Sequence, residues 1–409
     1  MVNAMLKLGH DVLVVPLYLP LAVEQTEPGT ISPIFFGGVN VYLQQKLSLF
    51  RKTPRWIDRW LDSPRLLTWV GRMAGMTSPK DLGQTTISML RGEEGRQIKE
   101  LDRLVNWLVE QENKPDVVCL SNVLLLGLAR PIKQRLGVPV VCLLQDEDTF
   151  LDGLPSPYAE QAWQILQERA GHVDTFVAVS RFYADLMRQR LGLDPDRVKV
   201  AYTGISLGGY DSCHARPEVP TIGFLSQMCP DKGLDTLADA FIALKKNEKL
   251  KDARLRVTGG RSAADKAFVD RLRQKLSSHG LLDDVEFLGE FNLEAKLAFL
   301  QTLSVLCVPE RRPVACGLYV LEALAAGVPV VQPEHGVFPE LLEMTGGGVL
   351  YEPNNAGALA KALELLLLES ERALRLGEQG RKAVHEKFNI EQTAGDLMRI
   401  YAKVAQQDV

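Results

Sequence analysis

What the chain lacks narrows the question first. It has no C-x-x-C pair: its six cysteines, Cys119, Cys142, Cys213, Cys229, Cys307 and Cys316, are scattered along 409 residues. Three of them, Cys119, Cys142 and Cys307, sit inside apolar runs that read as buried strands, a pattern of reduced thiols that points to a cytoplasmic address. It has no excess of positive charge either. Lys plus Arg number 47 against 51 Asp plus Glu, a net charge of -4, so no global field would hold nucleic acid or an anionic membrane, and any phosphate site must be local. No apolar stretch reaches the ~18 residues of a membrane-spanning helix; the richest, Val117 to Ala129, is cut by Ser121 and Asn122. The apolar run Val12 to Val23 after Lys7 is not read as a signal peptide, because Asp11, Pro16 and Pro20 interrupt it and no small-x-small cleavage site follows. A peripheral contact with a membrane surface stays open.

What is present is the composition of an ordinary globular protein, 46% apolar and 24% charged, with no low-complexity tract and no tandem repeat. At roughly 150 residues per domain the length suggests two domains. From Thr221 onward, short β-branched runs alternate with helix-period segments, the pattern of βαβ units on a parallel sheet. The strands read as Thr221–Leu225, Leu255–Thr258, Val285–Leu288, Val305–Val308, Val328–Val331 and Val349–Tyr351. Leu234, Leu237, Phe241 and Leu244 recur at spacings of three and four, so one face of a helix packs on that sheet. The first half repeats the alternation less cleanly, with strands expected at Val12–Pro16, Val117–Leu120, Val138–Leu143, Thr175–Val179 and Val198–Ala201. The expectation is an α/β chain of two doubly wound, Rossmann-like domains facing a cleft. The N-terminal domain would cover 1–205, with a mostly helical insertion at about 48–94. A linker at 206–220, a C-terminal domain at 221–390 and a last helix at 391–409, packing back on the first domain, would complete it.

The stretch PERRPVACGLYVLEALAAGVPVVQPEHGVFPE, Pro309 to Glu340, carries the most chemistry. After a strand ending near Val308, Gly317 opens a helix that stops at Gly327, which suits the left-handed cap. Free amides and the positive dipole end at Gly317 and Leu318 favour an anion such as a diphosphate. Glu322, one and a half turns on, could accept hydrogen bonds from ribose hydroxyls; on spacing alone it fits the surface face of a short amphipathic helix better.

The run Gly317, Leu318, Glu322, Ala323, Ala325, Gly327, Pro329, Val330, Val331 resembles the donor-binding signature of family-4 glycosyltransferases. The resemblance implies that the helix N-terminus holds the donor diphosphate and that Glu322, matching the second Glu of an E-x7-E motif, binds the ribose. Phe338, Pro339 and Glu340 resemble that family's G-x-P-E loop. In Pro230–Asp231–Lys232–Gly233, similar to the family's P-E-K-G, Lys232 is the implied diphosphate lysine, although an ordinary surface lysine fits the same spacing. Gly289 and Glu290 are counted with the donor-binding positions. In the first half, Leu8 to Val15, Ala178 to Met187 and Gly204 to Ser206 also resemble family segments. The resemblance implies a GT-B fold and a retaining transfer from a nucleotide-sugar donor to a carbohydrate, lipid or small-molecule acceptor. It calls for no cofactor and no metal. Asp146, Glu147 and Asp148, after the strand Val138–Leu143, are either acceptor-side groups or a solvated acidic turn.

Three departures qualify the resemblance. The first Glu of E-x7-E falls on Val314, removing a charged acceptor worth about 1.5 to 3 kcal/mol; Glu310 could stand in only if the loop folds differently. Gln227 occupies the place of an Arg that precedes the diphosphate lysine by five residues. Family members also begin with a βα unit of about 25 residues that Met1 leaves out. The alternatives are therefore a weakened or non-catalytic relative that binds a nucleotide sugar or a partner protein, and, on His335, a GT-B sugar epimerase.

Overall fold

Each β-branched run expected from Thr221 onward forms a strand in a computed structural model that describes residues 1–17, 35, 79–210, 216–289 and 292–407. The chain divides into two compact units: Val2–Val179 with Ala184–Ala201 and Gly395–Val409, and Ser180–Tyr183 with Tyr202–Ala394.

In the N-terminal unit β1 (Val118–Leu120), β2 (Val140–Leu144), β3 (Thr175–Ala178) and β4 (Val198–Val200) pair in chain order, all parallel. Helices α1 (Val2–Lys7), α2 (Pro79–Leu90), α3 (Ile98–Val109), α4 (Ala129–Leu136), α5 (Glu147–Asp152), α6 (Tyr158–Arg169) and α7 (Arg181–Leu191) connect and flank the strands. On α3, Leu101, Leu104, Val105 and Leu108 recur at helical spacing and are buried, which is why that segment is a helix lying on a core. The strand expected at Val12–Pro16 does not form. Leu13 and Val14 are exposed there, and a single parallel bridge joins Leu17 to Phe35. Apolar, β-branched composition makes a strand only where a neighbouring strand completes its ladder. Of the insertion expected at 48–94, residues 48–78 lie outside the described set; the remainder is α2 and a 3-10 turn at Gly92–Glu94.

In the C-terminal unit β5 (Thr221–Leu225), β6 (Arg254–Thr258), β7 (Val285–Phe287), β8 (Val305–Leu306), β9 (Val330–Pro333) and β10 (Gly348–Tyr351) form one parallel sheet in the order β10-β9-β8-β5-β6-β7. That is a doubly wound sheet whose order reverses between β5 and β8. Helices α8 (Leu234–Leu244), α9 (Lys266–Ser278), α10 (Leu293–Gln301), α11 (Leu318–Ala325), α12 (Phe338–Thr345), α13 (Ala356–Leu368) and α14 (Ser370–Lys387) belong to this unit, as does the start of α15 (Ile390–Gln407). Its central strands β5, β8 and β9 are buried on both faces. Val305, Cys307 and Val331 join one apolar cluster with Phe241 and Leu363, and their neighbours Leu306 and Val330 join another with Leu321 and Phe338. The expectation of doubly wound α/β architecture is borne out.

Residues 202–205, expected on the N-terminal side, belong to the C-terminal unit because Ile205 exchanges backbone hydrogen bonds with Phe388 and Ile390, both 2.9 Å. The linker positions 211–215 lie outside the described residues. From Gly395 onward α15 belongs to the N-terminal unit, where the Tyr401 hydroxyl donates to Cys119 Sγ at 3.1 Å.

Helix α11 ends as its sequence predicts: Gly327, at φ 83°, sends its N–H to Leu324 O (2.9 Å), and Val328 sends its own to Ala323 O (2.9 Å). This is a Schellman closure. Helix α14 supports that end through Gly377, where a Cβ would lie 2.1 Å from Gly327 O. His385 Nε2 donates a hydrogen bond to Ala325 O at 3.3 Å. Gly377→Val should therefore cost about 1–3 kcal/mol through overpacking. For a unit of this size that lowers the thermal midpoint by roughly 2–12 °C. An unchanged midpoint in a calorimetric scan would contradict the close packing.

Candidate functional site

Reversal of strand order between β5 and β8 leaves a crevice at the carboxyl ends of the strands, where ligands bind in such sheets. Three segments meet there: the turn after β5, the loop from β8 to α11, and the loop from β9 to α12. Gly317 caps α11 from a non-helical conformation, with Val320 N donating to its carbonyl at 2.8 Å. The amides of Leu318 and Tyr319 precede that bond, have no partner within the helix and carry its positive end. Leu318, at the first position, is exposed and shares a helix face with Glu322 four residues on.

Backbone proximity brings the first two segments together. Gly233 follows the short 3-10 turn Pro230–Lys232 at φ 68°, and a Cβ there would lie 1.9 Å from Pro309 O, so no other residue allows this approach. The contact is reinforced by Arg311 N donating to Asp231 O at 2.9 Å and by an ion pair of Arg311 with Asp235. Within it, Lys232 Nζ lies 2.8 Å from the Glu310 carboxylate, which is almost fully buried, and the Tyr319 hydroxyl from the first turn of α11 donates to the same oxygen at 3.3 Å. Burial, then the charge of Glu310, pushes the Tyr319 pKa well up, so the phenol keeps its proton. His335 Nε2 lies 3.0 Å from the Glu310 carbonyl, an acceptor, so that nitrogen carries the ring proton. Burial lowers the His335 pKa.

The sequence-derived positions divide. Lys232, Gly317 and Leu318 belong to the two segments linked through Glu310. Glu322 is engaged by the Lys296 ammonium, an ion pair from α10. Gln227 turns to the β6 side, where its Nε2 donates to Asp265 Oδ2 at 2.9 Å. That oxygen also accepts from Ser262 N (2.9 Å) and Ser262 Oγ (2.6 Å). The Ser262 hydroxyl first, then Gln227, hold the Asp265 pKa below the usual carboxylate value. Val314 packs with Val320, Leu321 and Phe338, and its carbonyl accepts from Val337 N at 3.1 Å; this is an apolar position, where a carboxylate would be buried. Gly289 is exposed, with its carbonyl taking the Thr258 hydroxyl at 3.2 Å, and Glu290 lies outside the described residues.

In the N-terminal unit Asp146 adopts a left-handed φ of 76° after β2, and the buried Glu147 accepts from Gln145 N at 2.7 Å. Asp148 follows in the first turn of α5. Within the C-terminal unit, Glu340, in the family-like Phe338–Glu340 segment, takes the Arg181 (2.8 Å) and Phe182 (3.0 Å) amides and the Tyr202 hydroxyl. Among the described residues no group of three or more His, Cys, Asp or Glu is arranged to hold a metal ion, and no helix is long and apolar enough to cross a membrane.

Glu310 as partner of Lys232, Lys296 as partner of Glu322, and Asp265 as partner of Gln227 are not readable from spacing. The paired residues stand on different helices, turns and loops of the C-terminal unit.

Residues 214–383 match the family model Glycosyl transferases group 1, and residues 84–208 match Glycosyltransferase Family 4. A GDP-mannose-dependent alpha-(1-6)-phosphatidylinositol monomannoside mannosyltransferase of Mycobacterium tuberculosis is 29% identical over 44% of this chain and 46% of its own length. A D-inositol 3-phosphate glycosyltransferase of Rhodococcus jostii is 27% identical over 66% of this chain and 62% of its own. The chain thus spans about half to three fifths of the curated relatives it matches. Among solved structures, HepE of Anabaena in complex with UDP superposes with a TM-score of 0.64 at 18% identity, over 75% of this chain and 82% of that one. Sucrose-phosphate synthase of Thermosynechococcus elongatus gives 0.63 at 19%, over 76% and 79%. With both halves matched by family models and the two α/β units shared with GT-B structures, the chain belongs to the family-4 glycosyltransferases.

Proposed function

We propose that the protein is a retaining glycosyltransferase whose C-terminal unit binds a nucleoside diphosphate sugar at the crevice between β5 and β8. The observation that carries the reading is the pairing of a helix N-terminus at Gly317–Leu318 with the Lys232 turn, both tied to the Glu310 loop. Preorganised amides and an ammonium at one crevice would stabilise the charge that develops on a departing diphosphate. Glu322, one turn after Leu318 on the same face, accepts the ribose hydroxyls once Lys296 yields or is shared. The UDP bound in HepE and the GDP-mannose named for the mycobacterial relative support a nucleotide donor. Asp146, Glu147 and Asp148 are the proposed acceptor-side groups, and the inositol named in two relatives puts cyclitol phosphates first among acceptors to try.

A second reading, a relative that binds a nucleotide sugar without transferring it, draws on Val314 and on Gln227, which is committed to Asp265. One assay separates the two: incubation with UDP- and GDP-sugars and an inositol phosphate, reading released nucleoside diphosphate. Release above the no-enzyme rate supports transfer; binding without release supports the second reading.

Two substitutions test the site itself. Lys232→Ala should weaken UDP or GDP by roughly 10- to 100-fold, the range of a charge-assisted hydrogen bond, and leave the bare nucleoside nearly unchanged. Equal losses in calorimetry would move Lys232 away from the phosphates. Glu322→Gln should weaken nucleoside and nucleoside diphosphate alike, by about 3- to 10-fold, because an amide is a poorer acceptor for two hydroxyls than a carboxylate. Unchanged affinity for both would remove Glu322 from the ribose.

A further inference from the structure

Resting on that donor-site reading, we propose that Glu310 is a specificity-determining residue that makes the phosphate pocket discriminate against the nucleoside diphosphate product in favour of the sugar-bearing donor. The case begins with charge. Gln227 brings no cation and is turned to Asp265, so Lys232 is the nearby ammonium, and its Nζ lies 2.8 Å from a carboxylate only 3% exposed. Glu310 is held from three sides. Tyr319 donates to its carboxylate, His335 donates to its carbonyl, and the neighbouring Pro309 carbonyl closes on Gly233. An anion that arrives at Lys232 therefore meets a fixed negative charge a few ångströms behind the ammonium.

Fixed negative charge does not treat donor and product alike. In a nucleoside diphosphate sugar each phosphate is bridged on both sides, by one ester and the shared anhydride, whereas transfer leaves a terminal phosphate whose second proton leaves at about pH 6. At neutral pH the product carries one more negative charge than the donor, placed at the Lys232 end. Repulsion by Glu310 falls on that extra charge, and the burial of the carboxylate leaves it weakly screened. Lys232 and the α11 amides alone would bind the product more tightly than the donor; Glu310 counters that preference and favours product release.

Binding is the right readout, because charge developing on the leaving group during transfer feels the same carboxylate. UDP with UDP-glucose, and GDP with GDP-mannose, are titrated calorimetrically against wild type, Glu310→Gln, Lys232→Ala and the double variant. Gln keeps the length of Glu310 and an oxygen for the Tyr319 hydroxyl. Glu310→Gln should tighten the diphosphate about tenfold and the matching sugar nucleotide threefold or less, and the difference should vanish in the Lys232→Ala background. Equal shifts for both ligands, or a weakened diphosphate, would overturn the inference. A merely structural role for Glu310 would move both ligands together. Should Glu310→Gln fail to fold, wild type suffices: UDP methylated on its terminal phosphate has the donor's charge and no sugar, and should bind at least as tightly as UDP. A tenfold preference for UDP would overturn the proposal. If none of the proteins binds any of these nucleotides, the donor-site reading fails and this inference with it.

Discussion

The approach of the Gly233 backbone to the Pro309 carbonyl is the constraint on which the C-terminal site depends. It requires a residue without a Cβ at a positive φ, and it draws the turn after β5 against the loop after β8. Once those two backbones touch, Lys232 can reach Glu310, Arg311 can reach Asp235, and Tyr319 in the first turn of α11 joins the same carboxylate. The reversal in strand order creates the crevice; the glycine contact decides what lines it.

Charge then decides what the crevice can hold. A buried ion pair contributes little net stability, because desolvation offsets most of the attraction, so Lys232–Glu310 is better understood through its effect on a ligand than as a staple. Glu310 tempers the one ammonium at the turn, while the helix dipole at Gly317 is left in place. Such a pocket suits an anion whose charge is spread along a diester rather than concentrated at its end. The same logic explains how the position of Val314 can be apolar: Val314 belongs to the cluster that seats α11 and α12, and a carboxylate there would face Val320 and Phe338.

Much of this was legible in the sequence because it is local. The strands from Thr221 onward follow from β-branched runs between helix-period segments. The ends of α11 follow from Gly317 and Gly327, and the lysine turn from Pro230 to Gly233. What was not legible is pairing at a distance. Glu310 with Lys232, Lys296 with Glu322 and Asp265 with Gln227 join residues 78, 26 and 38 positions apart, and no periodicity carries that information. The expected strand at Val12–Pro16 failed for a related reason: apolar composition cannot report whether a partner strand lies alongside.

The most direct test of the donor-site account is a crystal structure of the protein with UDP or GDP. The account predicts the terminal phosphates within about 2.7–3.2 Å of the Gly317 or Leu318 amides and of Lys232 Nζ, with the ribose hydroxyls on Glu322. A nucleotide bound in the C-terminal unit with its phosphates away from both Lys232 and the start of α11 would contradict it.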